Sequence, residues 1–414
     1  MTSTVLVLNA GSSSLKYQLV DTQREATLAS GLVERVGVDG ARLVHRPGAA
    51  ASAGADAIER AVAVADHGEA LVAVVDAFAT WGPDLSGAGL VGVGHRVVMG
   101  GPAFDGPVVI DDHVVDAVER LSPLAPLHNP PNLTTVRVAR RLLPHLTHVA
   151  VFDTAFFHHL PAAAATYALD RTVAARYGIR RYGFHGTSHQ YVAARTAEVL
   201  GRDQRALRQI VLHLGNGASA SAVAGGRAVE TSMGLTPLEG LVMGTRTGDI
   251  DAAVVFHLQR SAGMSVEEVD ALFNHRSGLL GLAGVSDMRD VHERVRRGDA
   301  DARLALDVYV HRIRKYVGAY VAVLGGLDTL TFTAGIGEND PVVRAEVLAG
   351  LEVLGLVLDR ERNEAVSRDA RVISPDGAPV AVLVVPTNEE LAIARQVLAL
   401  VRPADAAGSP SPRR

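Results

Sequence analysis

At 414 residues the chain exceeds what one core ordinarily organises, so two domains are expected, and 48% hydrophobic with 21% charged residues excludes a disordered or fibrous chain. A net charge of -5 gives no general attraction to nucleic acid or an anionic membrane, which leaves a small-molecule partner. Cysteine is absent, so disulfides, thiolate zinc sites and cysteine nucleophiles are excluded.

The stretch MTSTVLVLNAG has no basic segment followed by a long apolar one, and the uncharged run Tyr316 to Leu327 is too short to span a bilayer; a soluble, cytoplasmic protein is expected. Val5 to Leu8 is an aliphatic run, and beyond Gly11 and three serines Leu15 to Val20 resumes it, which predicts a β-hairpin. Its turn, in LNAGSSSLKY, is either an ordinary turn or a phosphate cradle in which Ser12, Ser14, the turn N–H groups and Lys16 meet phosphate oxygens. It is not a P-loop, because Leu15 stands where G-x-x-x-x-G-K-[ST] needs its second glycine. Lys16 is one of only two lysines among 40 basic residues, and a tight phosphate site can prefer the compact charge of Lys.

Further along, Pro47 to Asp56 reads as an Ala/Gly-rich loop. Arg96 in GHRVVMGG is either a surface charge or a bidentate anion contact beside small residues. A helical pattern covers Pro131 to Leu143, and in VFDTAFFHHLP Asp153 follows a strand end, as a site residue or a helix cap. A domain break is placed near Ala150. In RRYGFHGTSH, His185 and His189 have helical i,i+4 spacing, but the Glu of H-E-x-x-H is missing and a zinc hydrolase is set aside; His158 and His159 read as polar surface.

A helix is predicted from Thr187 to Leu200, followed by a second strand–glycine turn–strand plan in Gln209 to Val229. Aligning Gly11 with Gly215 sets Asn9 opposite His213 and Ser12 opposite Asn216, as a duplication or a chance recurrence of Gly/Ser turns. GTRTGDID brings Arg246 near Asp249 and Asp251, either as a self-satisfied salt bridge or as an Arg held to neutralise a transferring phosphoryl group. A helix over Leu304 to Leu324 precedes the strand and glycine turn of LDTLTFTAGIGEN and a helix-like stretch from Pro341 to Leu354. A last helix, Glu389 to Val401, is expected to pack back on the first half, ahead of a disordered tail at 403–414. Strands alternating with helices indicate an α/β protein.

In order, the motifs NAGSSSLKY, GHRVVMGG, APLHNPPN, VFDTAF, RRYGFHGTSH, HLGNGASASAV, SMGLTPLEGLVMGTRTGDID, SDMRD, TAGIGEN and PTNEEL resemble the acetate kinase family of the actin and sugar kinase superfamily. The resemblance implies two duplicated actin-like (ribonuclease H-like) domains, 1–150 and 151–386, with a nucleotide cleft between them that closes over the substrates, and a helix at about 387–402 returning to the first. It matches Asn9 and Glu389 to the magnesium positions, with Mn2+ as a substitute, and Ser12, Ser14 and Lys16 to the phosphate hairpin. The nucleotide segments match His213, Leu214, Gly215, Asn216 and Gly217, then Asp287, Met288 and Arg289, then Gly335, Ile336, Gly337, Glu338 and Asn339. Arg96 and Arg246 match the arginines around the carboxylate and the transferring phosphoryl, Asp153 the catalytic Asp, and His185 a transition-state stabiliser. Val98, Leu127, Phe184 and Pro237 match the pocket for the acid's methyl group. Met99, Phe157 and Ala252 depart from the family's usual His, His and Pro, and Met99 adjoins Val98.

The implied reaction moves the γ-phosphoryl of ATP to acetate, giving acetyl phosphate and ADP, in a homodimer without nucleic-acid or membrane partners. A carboxylic acid with a pKa of about 4.3 is already ionised at neutral pH, so no general base is needed, and Asp153 is expected to orient an Arg or magnesium's water shell. Alternatives are a propionate or butyrate kinase, and a non-catalytic actin-like nucleotide sensor, which both Arg96 and Arg246 argue against.

Overall fold

The computed structural model describes residues 3–48, 57–86 and 88–401, so most of the loop at Pro47 to Asp56 and all of the tail at 403–414 lie outside the described residues. The chain divides into two compact units, Met1–Ala155 with Asn388–Arg414, and Phe156–Thr387.

The first unit carries β1 (Thr4–Ala10), β2 (Ser14–Asp21), β3 (Ala26–Glu34), β4 (Arg42–Pro47), β5 (Ile58–Ala61), β6 (Leu90–Val97), β7 (Val108–Val109) and β8 (Thr147–Phe152). They form one sheet in the order β5-β4-β3-β2-β1-β6-β8-β7. β1 is antiparallel to β2 and parallel to β6, which is parallel to β8. As a central strand covered on both faces, β1 is apolar almost throughout and nearly all buried. A break at 150 would cut β8, which pairs with β6; the units divide after Ala155 instead.

The second unit carries β9 (Arg208–Leu214), β10 (Ala218–Ala224), β11 (Arg227–Thr231), β12 (Thr329–Thr333), β13 (Arg371–Val372) and β14 (Ala381–Val384), in the order β11-β10-β9-β12-β14-β13. Each matches, in position and direction, a strand of the series β3-β2-β1-β6-β8-β7. This is a duplicated, actin-like α/β architecture, to which the first unit adds β4 and β5 at one edge. The two glycine turns are the equivalent hairpins β1–β2 and β9–β10, and their registers set Lys16 opposite Asn9 and Ser219 opposite His213.

The helix Asn129–Leu142 begins ahead of its sequence-read start, because Pro130 and Pro131 fit a first turn that needs no N–H partner. The helix Gly186–Val199 is displaced by one residue, and Ala300–Leu324 starts early because Asp299 caps the N–H groups of Asp301 and Ala302. The stretch Pro341 to Leu354 is not one helix. It stops at Leu348, and Gly350, at φ +76°, turns the chain before the short turn Glu352–Leu354. The helix Glu389–Val401 packs on β1 and β6 of the first unit. Glycine is required beneath it, since a Cβ on Gly94 would stand 2.6 Å from Ile393 Cγ2 and 2.9 Å from Val397 Cγ2. Among the described residues no helix is long and apolar enough to cross a membrane.

Several histidines are built into these interiors as neutral groups. His45 Nε2 donates to the Gly82 carbonyl at 2.8 Å, so its Nδ1 accepts from the Tyr17 hydroxyl at 2.7 Å. His148 Nε2 donates to the Leu143 carbonyl at 3.1 Å, leaving Nδ1 to accept from His95 Nε2 at 3.0 Å. Burial lowers the pKa of His45, His95 and His148, so the unfolded chain binds more protons than the folded one between the two sets of values. Stability is then complete above the ordinary histidine pKa and is lost as the pH falls below it, by about 1.4 kcal/mol per pH unit for each histidine kept neutral. The melting temperature is expected to drop steadily between pH 7 and pH 5.5; a flat profile would show that these rings are not held neutral.

Candidate active site

In the first unit, three adjacent strands end at the same level. β1 sets Asn9 beside Arg96 of β6, and Asp153 is the first residue after β8. The carboxyl ends of neighbouring parallel strands are where α/β sheets carry their sites. Arg96 Nε donates to Asp153 Oδ1 at 2.8 Å, Nη2 to Oδ2 at 2.5 Å, and Nη1 to Asn9 Oδ1 at 3.1 Å. Both Asp153 oxygens are taken by Arg96 and the residue is 1% exposed, so it is not a base open to solvent. Burial works to lower the guanidinium pKa, but the charges of Asp153, Glu389 and Glu390 outweigh it and raise it, so Arg96 is a permanent cation with two of its five N–H groups left for a ligand.

Glu389, from the returning helix, lies 3.8 Å from Arg96 Nε, too far for a hydrogen bond. Burial, with help from the charges of Asp153 and Glu390, pushes its carboxyl up to about 7 against the pull of Arg96 and Lys16. A half-buried carboxylate whose charge is only partly compensated suits a cation. Among the described residues no three His, Asp or Glu side chains converge as a metal cage.

The hairpin turn carries exposed Ser12 and half-buried Ser14, with exposed Lys16 on β2. Gly11 N–H donates to the Ser14 carbonyl at 2.8 Å, and His67 Nε2 holds the Gly11 carbonyl at 2.8 Å from the start of the helix His67–Trp81. Two asparagines of HNPPN fix the loop after β6. Asn132 donates to the Ala10 carbonyl (2.8 Å) and accepts from Val98 N–H (3.2 Å), tying β1 to β6, and Asn129 clasps both backbone groups of Met99 at 3.1 Å. Val98 is thereby held in place, Met99 is wholly buried, and Leu127 is 43% exposed.

In the second unit, His185 precedes the helix Gly186–Val199 at φ 58°, a conformation costly for a side chain other than Gly and characteristic of functional sites. Its ring stacks on His213 at 4.3 Å, and buried Phe184 precedes it. Arg246 does not pair with Asp249 or Asp251. Asp249 accepts from Tyr316 at 2.9 Å and faces Arg312 at 3.4 Å, while Asp251 accepts from Ala253 N–H. Arg246 instead donates to the Pro237 carbonyl at 3.2 Å, and burial lowers its pKa with no acid among the described residues opposing it. A Cβ on Gly217 would stand 3.5 Å from His185 Nε2 and 4.0 Å from Arg246 Nη1, so glycine there opens one small space bordered by both groups.

A cavity of about 780 Å³ in the same unit is of the size that small ligands use. Gly215 and Asn216 reach it from the hairpin turn, Gly335, Ile336 and Asn339 from the segment after β12, and Asp287, Met288 and Arg289 from a helix start. Arg289 pairs with Asp287 at 2.6 Å and holds its carboxyl down at about 2. His213, Leu214, Gly217, Gly337 and Glu338 do not line it. His213 bonds Ser188 at 2.8 Å, Leu214 is wholly buried, and Glu338 accepts from the backbone N–H groups of Ala334 (2.8 Å) and Thr387 (3.1 Å). The Gly335–Asn339 segment rests on Arg344, which is 1% exposed and donates to the carbonyls of Gly337 (2.9 Å) and Glu338 (3.0 Å). Its position among Val343, Val347 and Leu348 on the apolar face of Pro341–Leu348 is the signal that could have revealed it in the sequence.

Residues 4–395 match the family model described as the Acetokinase family. The acetate kinase of Leifsonia xyli subsp. xyli is 58% identical over 400 residues, covering 96% of this chain and 99% of that protein. That of Streptomyces griseus subsp. griseus is 57% identical, covering 96% of each. Among solved structures, the acetate kinase of Porphyromonas gingivalis superposes with a TM-score of 0.91 at 41% identity, over 97% of this chain and 100% of the other. A propionate kinase from Francisella tularensis gives 0.88 at 37%, over 95% and 98%.

Arg344→Met is expected to unsettle the segment it supports, because a hydrogen-bonded buried cation is replaced and carbonyls lose their donors. Stability should fall by about 3 kcal/mol, and the KM for nucleotide should rise by about tenfold with the second substrate's KM unchanged. Equal nucleotide KM values in both proteins would remove Arg344 from that role.

Proposed function

As a member of the acetokinase family, this chain, we propose, catalyses the reversible transfer of the ATP γ-phosphoryl group to acetate, giving acetyl phosphate and ADP. The observation that carries the chemistry is Arg246, a guanidinium that no acid among the described residues compensates, sharing the space at Gly217 with His185 Nε2. Two such nitrogens bordering one space suit an anion.

The substrates set the problem. Acetate is ionised at neutral pH, so an oxygen of its carboxylate attacks phosphorus without losing a proton. The new O–P bond forms as the bond from the γ-phosphorus to the β-γ bridging oxygen breaks, and ADP leaves with the electron pair. What the protein must overcome is repulsion between two anions. Arg96, locked by Asp153 and Asn9, offers its two remaining N–H groups to the carboxylate, and Lys16 with Ser12 and Ser14 meets phosphate oxygens. Arg246 and His185 hold the charge that spreads over the transferring group. Asn9 and Glu389 would hold Mg2+, or Mn2+ in its place, which when bound neutralises phosphate charge. Asp153 acts on Arg96 and takes no proton.

Val98 with Leu127, and Phe184 with Pro237, are assigned to the acid's methyl group. A larger acid, propionate, is the second reading, favoured only by the likeness to the Francisella propionate kinase. Because the reaction draws on ATP, we place it in the cytoplasm, with a homodimer as the working form.

The test is to trap acyl phosphate with hydroxylamine in the presence of ATP, magnesium and acids of two to four carbons. Acetate should be the best acceptor, and absence of hydroxamate with every acid would reject the reading. In the same assay Arg246→Ala should lose about a hundredfold or more in kcat, and an unchanged kcat would take the residue out of the transition state. Val98→Ala should improve propionate relative to acetate by about tenfold, as one methylene in an apolar pocket allows; constant ratios would mean that Val98 does not line it.

A further inference from the structure

His185 is anchored through the ring nitrogen that does not border the space at Gly217. Its Nδ1 lies 2.8 Å from Ser219 Oγ, the same hydroxyl lies 2.8 Å from His189 Nε2, and His189 Nδ1 lies 2.7 Å from Ser221 Oγ. Ser219 and Ser221 are alternate residues of β10 and so share a face, while His189 follows His185 by one helical turn. Ser219, His189 and Ser221 are wholly buried, and the Phe157 ring packs edge-on against His189 at 5.6 Å.

The protons of this chain can be counted. A hydroxyl has one to donate, and a neutral imidazole has one N–H and one acceptor. Burial, with His213 beside it, holds His189 well below the usual histidine range, so it is neutral. Three polarities make all three bonds. In the first, Ser221 donates to His189 Nδ1, His189 Nε2–H donates to Ser219, and Ser219 donates to His185 Nδ1, which leaves the His185 proton on Nε2. In the second every bond is reversed, and the Ser221 hydroxyl hydrogen has no acceptor, since among the described residues its oxygen bonds only His189. In the third Ser219 accepts from both rings, and its own hydroxyl hydrogen has no acceptor, since among the described residues its oxygen bonds only those two rings. A buried donor without an acceptor costs more than an acceptor with a spare lone pair, so the first polarity prevails.

We propose that Ser219, His189 and Ser221 are positioning residues that fix the tautomer of His185, keeping its proton on Nε2 for donation to the transferring phosphoryl group. The inference rests on the role given to His185 above. Its far end fits, because Nε2 and Arg246 Nη1 border the same space at Gly217. Without the relay, a neutral His185 could carry its proton on Nδ1 and turn a lone pair toward phosphate oxygens.

The test combines tautomer and kinetics. In protein labelled with 15N-histidine, the His185 ring, assigned by its disappearance in His185→Gln, should show the Nε2–H pattern. Ser219→Ala should convert it to a mixture with Nδ1–H and lower kcat by about tenfold or more, with KM for ATP and for acetate within about twofold, and Ser219→Thr, which keeps the hydroxyl, should restore most of kcat. Ser221→Ala, one link further away, should give a smaller change of the same kind and replaces Ser219→Ala if that variant does not fold. An Nδ1–H wild type, or serine variants with unaltered tautomer and kcat, would overturn the proposal. If the wild type makes no acyl phosphate, the reading of the reaction fails, and the tautomer spectra still decide the relay.

Discussion

The candidate site of the first unit depends on the buried ion pair between Arg96 and Asp153. Removing two charges from water is expensive, and only near-ideal geometry with further hydrogen bonds offsets it. The two parallel bonds, with Asn9 on the third nitrogen, supply that geometry. The rest of the first unit serves this arrangement: the register of β1 against β6 sets Asn9 beside Arg96, and β8 ends one residue short of Asp153. Asp153 has a second effect. Its charge adds to that of Glu390 and to burial in pushing the Glu389 carboxyl up, while Arg96, 3.8 Å away, pulls it down.

The duplicated sheets show how one backbone plan comes to do two jobs. Register equates Lys16 on β2 with Ser219 on β10. In the first hairpin the position carries a long, exposed cation. In the second it carries a small buried hydroxyl that grips a histidine from the neighbouring helix. The hairpin is a frame, and the residue at that position decides whether it meets a ligand directly or through another side chain.

Much of this was readable in the sequence, for a physical reason. Glycine turns after apolar runs announce themselves locally, so both hairpins and the segment after β12 could be placed by pattern. Pairings between distant residues could not. Asp153 is distant in sequence from Arg96, and nothing near either names the other. The local spacing of GTRTGDID even suggested a wrong pair, since Asp249 turns to Arg312 and Tyr316. Asn129 and Asn132 act on backbone groups contributed by β1 and the loop after β6, and backbone groups carry no sequence signature. Helix ends drifted where Pro130, Pro131, Asp299 and Gly350 governed them, which periodicity does not register.

The helix Glu389–Val401 seats on Gly92 and Gly94 of the first unit, yet it follows the whole of Phe156–Thr387 in chain order. On a ribosome the first unit therefore waits, its glycine-floored groove open and Glu389 missing, until the second has been made. The second unit has all its strands in one continuous segment and can fold as it emerges. Glu389 thus joins Arg96 and Asp153 only after the whole of the second unit has been synthesised, so this corner of the first unit is among the last parts of the fold to be assembled.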